Sequence, residues 1–183
     1  MHSNTRNMRQ YAIEELRKFG IKGPHVYLID IIPLVEMIWA DGRVQQGETD
    51  ILYDYMEKHV NHINELAGCE ILSSENAKRF VSVFLKKRPH EDLLKTLRSF
   101  IEPVRLSSSD TKLCNHSKES LLAACLDIAA SAVTEYPYKL NERFNPQEKL
   151  CYFEIMESLC EVDSSTKRTT CCLPEHVMHS SLK

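Results

Sequence analysis

Asp41-Gly42-Arg43-Val44-Gln45-Gln46-Gly47-Glu48 is answered one hundred positions later by Asn141-Glu142-Arg143-Phe144-Asn145-Pro146-Gln147-Glu148. The arginine, the apolar residue after it and the closing glutamate coincide. The register then continues, with Tyr53 opposite Phe153, Asp54 opposite Glu154, Met56 opposite Met156 and Glu57 opposite Glu157. A match that runs on into a helix suggests one supersecondary unit used twice. Two copies predict a single domain with a pseudo-two-fold repeat in place of an open solenoid.

Outward from this echo, the rest of the chain reads as helical. Only five glycines occur in 183 residues, and apolar residues recur at spacings of three and four. Met8, Ala12, Leu16 and Phe19 form a first stripe, closed by Gly20 and Gly23. Pro24 opens a second helix through Ile31, Val35 and Trp39, with Pro33 inside it as an expected kink. A third runs from Glu48 to about Leu66 on a seam of Leu52, Met56, His59, Ile63 and Leu66. Ser73 or Ser74 caps a fourth carrying Phe80, Val81, Phe84 and Leu85. Pro89 begins a fifth carrying Leu93, Leu94, Leu97 and Ile101, closed by Pro103.

Ser107 to His116 reads as a loop, followed by an alanine-rich helix that Ser117 caps and that carries Leu121 to Val133. Asn145-Pro146-Gln147-Glu148 is the best helix start in the chain: a cap, a first-turn proline and a glutamate reaching back. The expected fold class is therefore all-α, a bundle of about seven helices over residues 1–160. Glu161 to Lys183, rich in polar residues, reads as a poorly ordered tail.

Composition narrows the function. Net charge is −3 with the two signs interspersed, so no basic face points to nucleic acid. The longest apolar run, Val26 to Trp39, carries Asp30, Pro33 and Glu36 and is too short to span a membrane. No secretory signal is legible, and seven cysteines without framework spacing read as reduced thiols, several of them core fillers. A cytoplasmic protein without direct membrane insertion is the expectation.

Two constellations could bind. Asp41 and Glu48 bracket one helix-loop-helix junction, Asn141 and Glu148 the other, and if the repeat brings the loops together their oxygens could hold a divalent cation. Calcium takes six to eight oxygens and each junction offers two side-chain groups, so the same residues also read as caps and turn formers. Asp50, Asp54 and Glu57 lie on one flank of the third helix, as either a solvated surface or an acidic contact for a protein partner.

His59, His62 and Glu65 have helical metal spacing, although His59 reads better as a core histidine with one hydrogen bond. Cys171, Cys172, His176 and His179 match no closed zinc template. No phosphate loop, serine elbow or HExxH motif is present, and no cysteine is marked as an activated nucleophile, so an enzyme is not expected.

The string Val35-Glu36-Met37-Ile38-Trp39-Ala40-Asp41-Gly42-Arg43-Val44, followed by Glu48 and Leu52, resembles the TerB-like tellurite-resistance family. The shared pattern is an apolar helix ending in Ala-Asp-Gly, one residue, an aliphatic, three residues and a glutamate opening the next helix. The motif spans about eighteen positions; the resemblance in architecture extends over about 20–160. It implies a helical fold with internal pseudo-symmetry, a cytoplasmic place in tellurite and chemical-stress resistance, and association with a membrane complex at its cytoplasmic face. The same module resembles the amino-terminal part of a DnaJ-type co-chaperone, which implies instead an interaction adaptor without a ligand. The second copy departs from the pattern, carrying Asn141-Glu142 in place of Asp-Gly.

Overall fold

The computed structural model describes residues 2–106, 111–131 and 145–160. Helix α1, His2–Lys18, buries Ala12 and Leu16. Met8 and Phe19 of the expected stripe are exposed instead. Gly20, at φ 81°, reverses the chain with its N–H on the Arg17 carbonyl, and Ile21 N–H returns to the Leu16 carbonyl. The positive φ is why a glycine stands there.

The helix expected from Pro24 to Trp39 is divided in two. Gly23–Ile31 is a 3-10 segment, and α2, Ile32–Ile38, follows directly with Pro33 in its first turn. Ile32 N–H still bonds the Ile29 carbonyl in the tighter pattern. First-turn N–H groups have no partner inside a helix, so Pro33 loses nothing by lacking one. A change of helix type just before Pro33 stands in place of the kink expected at it.

All seven residues of α2 are buried, six of them apolar and the seventh, Glu36, an acid. Helices α3 (Gln46–Ala67), α5 (Glu91–Ser99), α6 (Thr111–Ser131) and α7 (Pro146–Leu159) surround it. Helix α4, Ser74–Lys86, packs against α3 and the 3-10 segment. Trp39 Nε1 donates to the Phe84 carbonyl at 3.0 Å, tying the end of α2 to α4. Among the described residues there are seven α-helices and no strand. The all-helical expectation is correct.

Several boundaries move. Helix α5 starts after His90, whose ring accepts from Asp92 N–H, and not at Pro89. Pro103 does not end the chain's helical course, because Glu102–Leu106 forms a π turn that buries Val104 and Leu106. Helix α6 begins at Thr111, so the expected loop to His116 is helical over its second half. Leu66 is exposed, and the α3 seam is Leu52, Met56, Val60 and Ile63. Each of those side chains contributes about 2 kcal/mol by burial. The stretch read as a tail, 161–183, lies outside the described residues.

The echo holds at the helix starts and weakens beyond them. Glu48 and Glu148 are both buried, and Met56 is fully buried while Met156 packs half-buried on the same core. Tyr53 is half-buried where Phe153 is exposed, and α3 has 22 residues against 14 in α7.

Candidate functional site

The motif occupies the turn between α2 and α3. Asp41 Oδ1 accepts from Arg43 N–H at 2.8 Å, an Asx turn that Gly42 completes at φ 84°. Gln45 is extended, and Glu48 Oε2 accepts its N–H at 2.8 Å. At the other start Glu148 Oε2 accepts Asn145 N–H at 2.9 Å, while Asn145 Oδ1 takes Gln147 N–H at 3.0 Å. Both glutamates therefore do the capping work that the spacing predicts.

They also converge. Burial pushes the Glu48 carboxyl up to about 7, against the Gln45 N–H that favours its charged form; Asp41 and Glu148 raise it further. Glu148 is raised in the same way, by burial first, with Asp41 adding to it. Three of the four residues proposed from sequence as cation ligands thus share one electrostatic neighbourhood. Asn141, the fourth, lies outside the described residues. Among the described residues, no group of three or more His, Cys, Asp or Glu is arranged to hold a metal ion.

Asp50, Asp54 and Glu57 are exposed on α3 around a shallow depression that Tyr53 and Lys78 also line. Asp54 pairs with Lys58 at 2.7 Å, Glu57 with Lys78 at 2.8 Å, and Asp50 accepts from Gln46 Nε2 at 2.7 Å. Such exposed pairs are worth little and exchange readily. The acidic face is real but locally neutralised.

Two buried ion pairs escaped sequence reading. Glu36, on α2, meets Arg98 of α5, both more than nine-tenths buried. Burial pushes the Glu36 carboxyl up, and the guanidinium opposes it. Asp30 accepts from Arg105 Nε at 3.0 Å, and the Arg105 guanidinium lies 5.4 Å from the Tyr27 ring centroid. The signal was present: Asp30 and Glu36 are the two acids inside the longest apolar run, and an acid there needs a buried partner.

His59 Nε2 donates to the Tyr27 carbonyl at 2.8 Å and lies 3.4 Å from Asp30 Oδ2. It is the expected core histidine; His62 and Glu65 are exposed. Cys125 is fully buried and its thiol is pushed well up by burial, while that of Cys151 rises to about 12 for the same reason. Neither is a thiolate at neutral pH. No helix among the described residues is long and apolar enough to cross a membrane. No family model matches the chain, and no similar curated protein or solved structure was found.

Proposed function

We propose that this protein acts by binding and not by turnover, as a TerB-like component of a cytoplasmic tellurite or chemical-stress response. What supports the reading is the mutual electrostatic influence of Asp41, Glu48 and Glu148. Two helix starts one hundred residues apart in sequence bring carboxylates into each other's field. A divalent cation, weakly held, would relieve that repulsion and draw the Glu48 proton off. Asp50, Asp54 and Glu57, from about half a turn to about two and a half turns further along α3, would then meet a basic surface of a protein partner, including one at a membrane complex.

A second reading has its own support. Both glutamates are already satisfied by cap N–H groups, and no three-ligand set exists among the described residues. An adaptor of the co-chaperone kind, with no ligand, needs only the rigid helix starts and the acidic face.

Deletion of the gene followed by challenge with tellurite and peroxide tests the stress assignment. The expected result is sensitivity, rescued by the wild type and not by a protein carrying Asp50→Lys, Asp54→Lys and Glu57→Lys. Full resistance of the deletion strain would remove the stress role; full rescue by the charge-reversed protein would remove this face from it.

A further inference from the structure

Beside the turn that carries Gly42, the end of α2 leaves a cleft of about 190 Å³ against α5 and α7. That is below the range for small-molecule sites and suits one large side chain. Its walls are apolar and open to solvent: Leu150 is 62% exposed, and Trp39, Ala40 and Pro89 are half-buried. Phe153, one turn further along α7 and also exposed, extends the apolar surface.

The rim is charged unevenly. On one side stand Arg43, Lys86, Lys87 and Arg88, all exposed. Arg88 Nη1 lies against Gly42, 3.5 Å from where a Cβ would stand, so the chain leaving α4 meets the Arg43 turn. None of the four forms an ion pair among the described residues, whereas Lys58, Lys78, Arg79 and Lys95 are all paired. Against them the turn sets one acid, Asp41, and the cluster keeps a positive surplus. The end of the α4 dipole gives Lys86 and Lys87 a structural use; it gives none to Arg43 or Arg88. On the other side Glu91 and Glu154 share Lys95, at 2.7 and 3.2 Å. The field of Arg88 reaches Glu91, but the bond of Glu91 is to Lys95.

We infer that this cleft is a docking site for an acidic segment of a partner protein. One large apolar side chain of the segment fills the cleft against Trp39, Pro89 and Leu150, as a buried anchor does at an interface. Carboxylates on one side of that anchor meet Arg43, Lys87 and Arg88. The uneven rim sets the direction, since acids on the other side would face Glu91 and Glu154. The site uses neither the Asp41, Glu48 and Glu148 carboxylates nor the acidic face of α3, so it stands or falls apart from the function proposed above.

Trp39 is the only tryptophan in the chain, and its emission therefore reports on the cleft. The full chain at neutral pH is titrated with labelled peptides in which a single phenylalanine stands at one end of a run of glutamates, in both orders. At least one order should raise the anisotropy of the label. Its unlabelled form should shift the Trp39 emission and shield it from acrylamide over the same concentration range. Alanine in place of the phenylalanine should weaken binding roughly tenfold or more, and added salt should weaken it further. Arg88→Glu and Leu150→Ala, both at exposed positions, should each weaken binding roughly tenfold or more with thermal melts close to the wild type. Equal affinity for the alanine peptide, unchanged binding by either variant, binding that leaves Trp39 unaffected, or no binding at millimolar peptide would overturn the inference. So would a thymidine oligonucleotide that binds as tightly as the peptide, which would make the cluster a general polyanion surface.

Discussion

Replacing Glu48 by glutamine should remove the pH dependence of stability that this side chain imposes. The Glu48 carboxyl rises from its ordinary 4.5 to about 7, because it is buried and lies in the field of Asp41 and Glu148. Its folded pKa is above its unfolded one, so between those values the folded protein holds more protons than the unfolded chain. Stability from this group is therefore complete below about pH 4.5 and falls as pH rises through about 7. Over that window the loss is about 3 kcal/mol, since each tenfold change in proton affinity is worth roughly 1.4 kcal/mol.

Glutamine fills the same space, and its amide oxygen can still accept the Gln45 N–H, but it does not titrate. Urea denaturation of the wild type and of Glu48→Gln, from about pH 4 to about pH 8, should give near-equal stabilities at the acid end. The variant should be the more stable by up to about 3 kcal/mol at the alkaline end. A difference between the two proteins that stays constant across the range would refute the reasoning. It would mean that Glu48 titrates alike in the folded and the unfolded chain and serves the helix start as an ordinary carboxylate cap.

Three further outcomes follow from the packing. Asn145→Ala removes the side chain that takes Gln147 N–H and should cost about 1 kcal/mol in chemical denaturation. Met56→Ala should cost about 2–5 kcal/mol, and Met156→Ala clearly less, because only the first is fully buried; equal losses would show that the echo extends into the core unchanged. Arg98→Ala leaves Glu36 buried without its partner and should cost about 3–5 kcal/mol at alkaline pH, with part of the loss recovered as pH falls toward about 7, since burial already raises the Glu36 carboxyl to about 7 and loss of the guanidinium raises it further.

Helix identity was legible because apolar spacing and end chemistry agreed. Asn145 with Glu148 is a cap in the structure as in the sequence, and of the two serines the sequence offered it is Ser73 that caps α4, accepting from Asn76 N–H. Boundaries failed where one residue has two meanings. Pro33 signals a break inside a helix and an acceptable residue in its first turn with equal force, and only the 3-10 segment before it decides. Pro103 similarly permits a π turn, and the serines before Thr111 hid a helix start that their polarity made look like a loop.

Of the candidate site, Glu48 and Glu148 could be found by their spacing, since a cap has a local signature. Their mutual electrostatic influence could not, because it depends on how α3 and α7 pack around α2. Asp30 with Arg105 and Glu36 with Arg98 lie 75 and 62 residues apart. Each acid announces the need for a partner, yet nothing in a single sequence selects which arginine answers.

Calorimetric titration of the wild type and of Asp41→Asn with calcium, magnesium and zinc, on either side of about pH 7, tests the binding claim most directly. The expected result is weak binding of at least one cation at millimolar concentration, tighter on the alkaline side where Glu48 gives up its proton, and lost in the variant while the helices remain intact. An absence of both heat and thermal stabilisation in the wild type at that concentration would contradict it and leave Glu48 and Glu148 as helix caps alone.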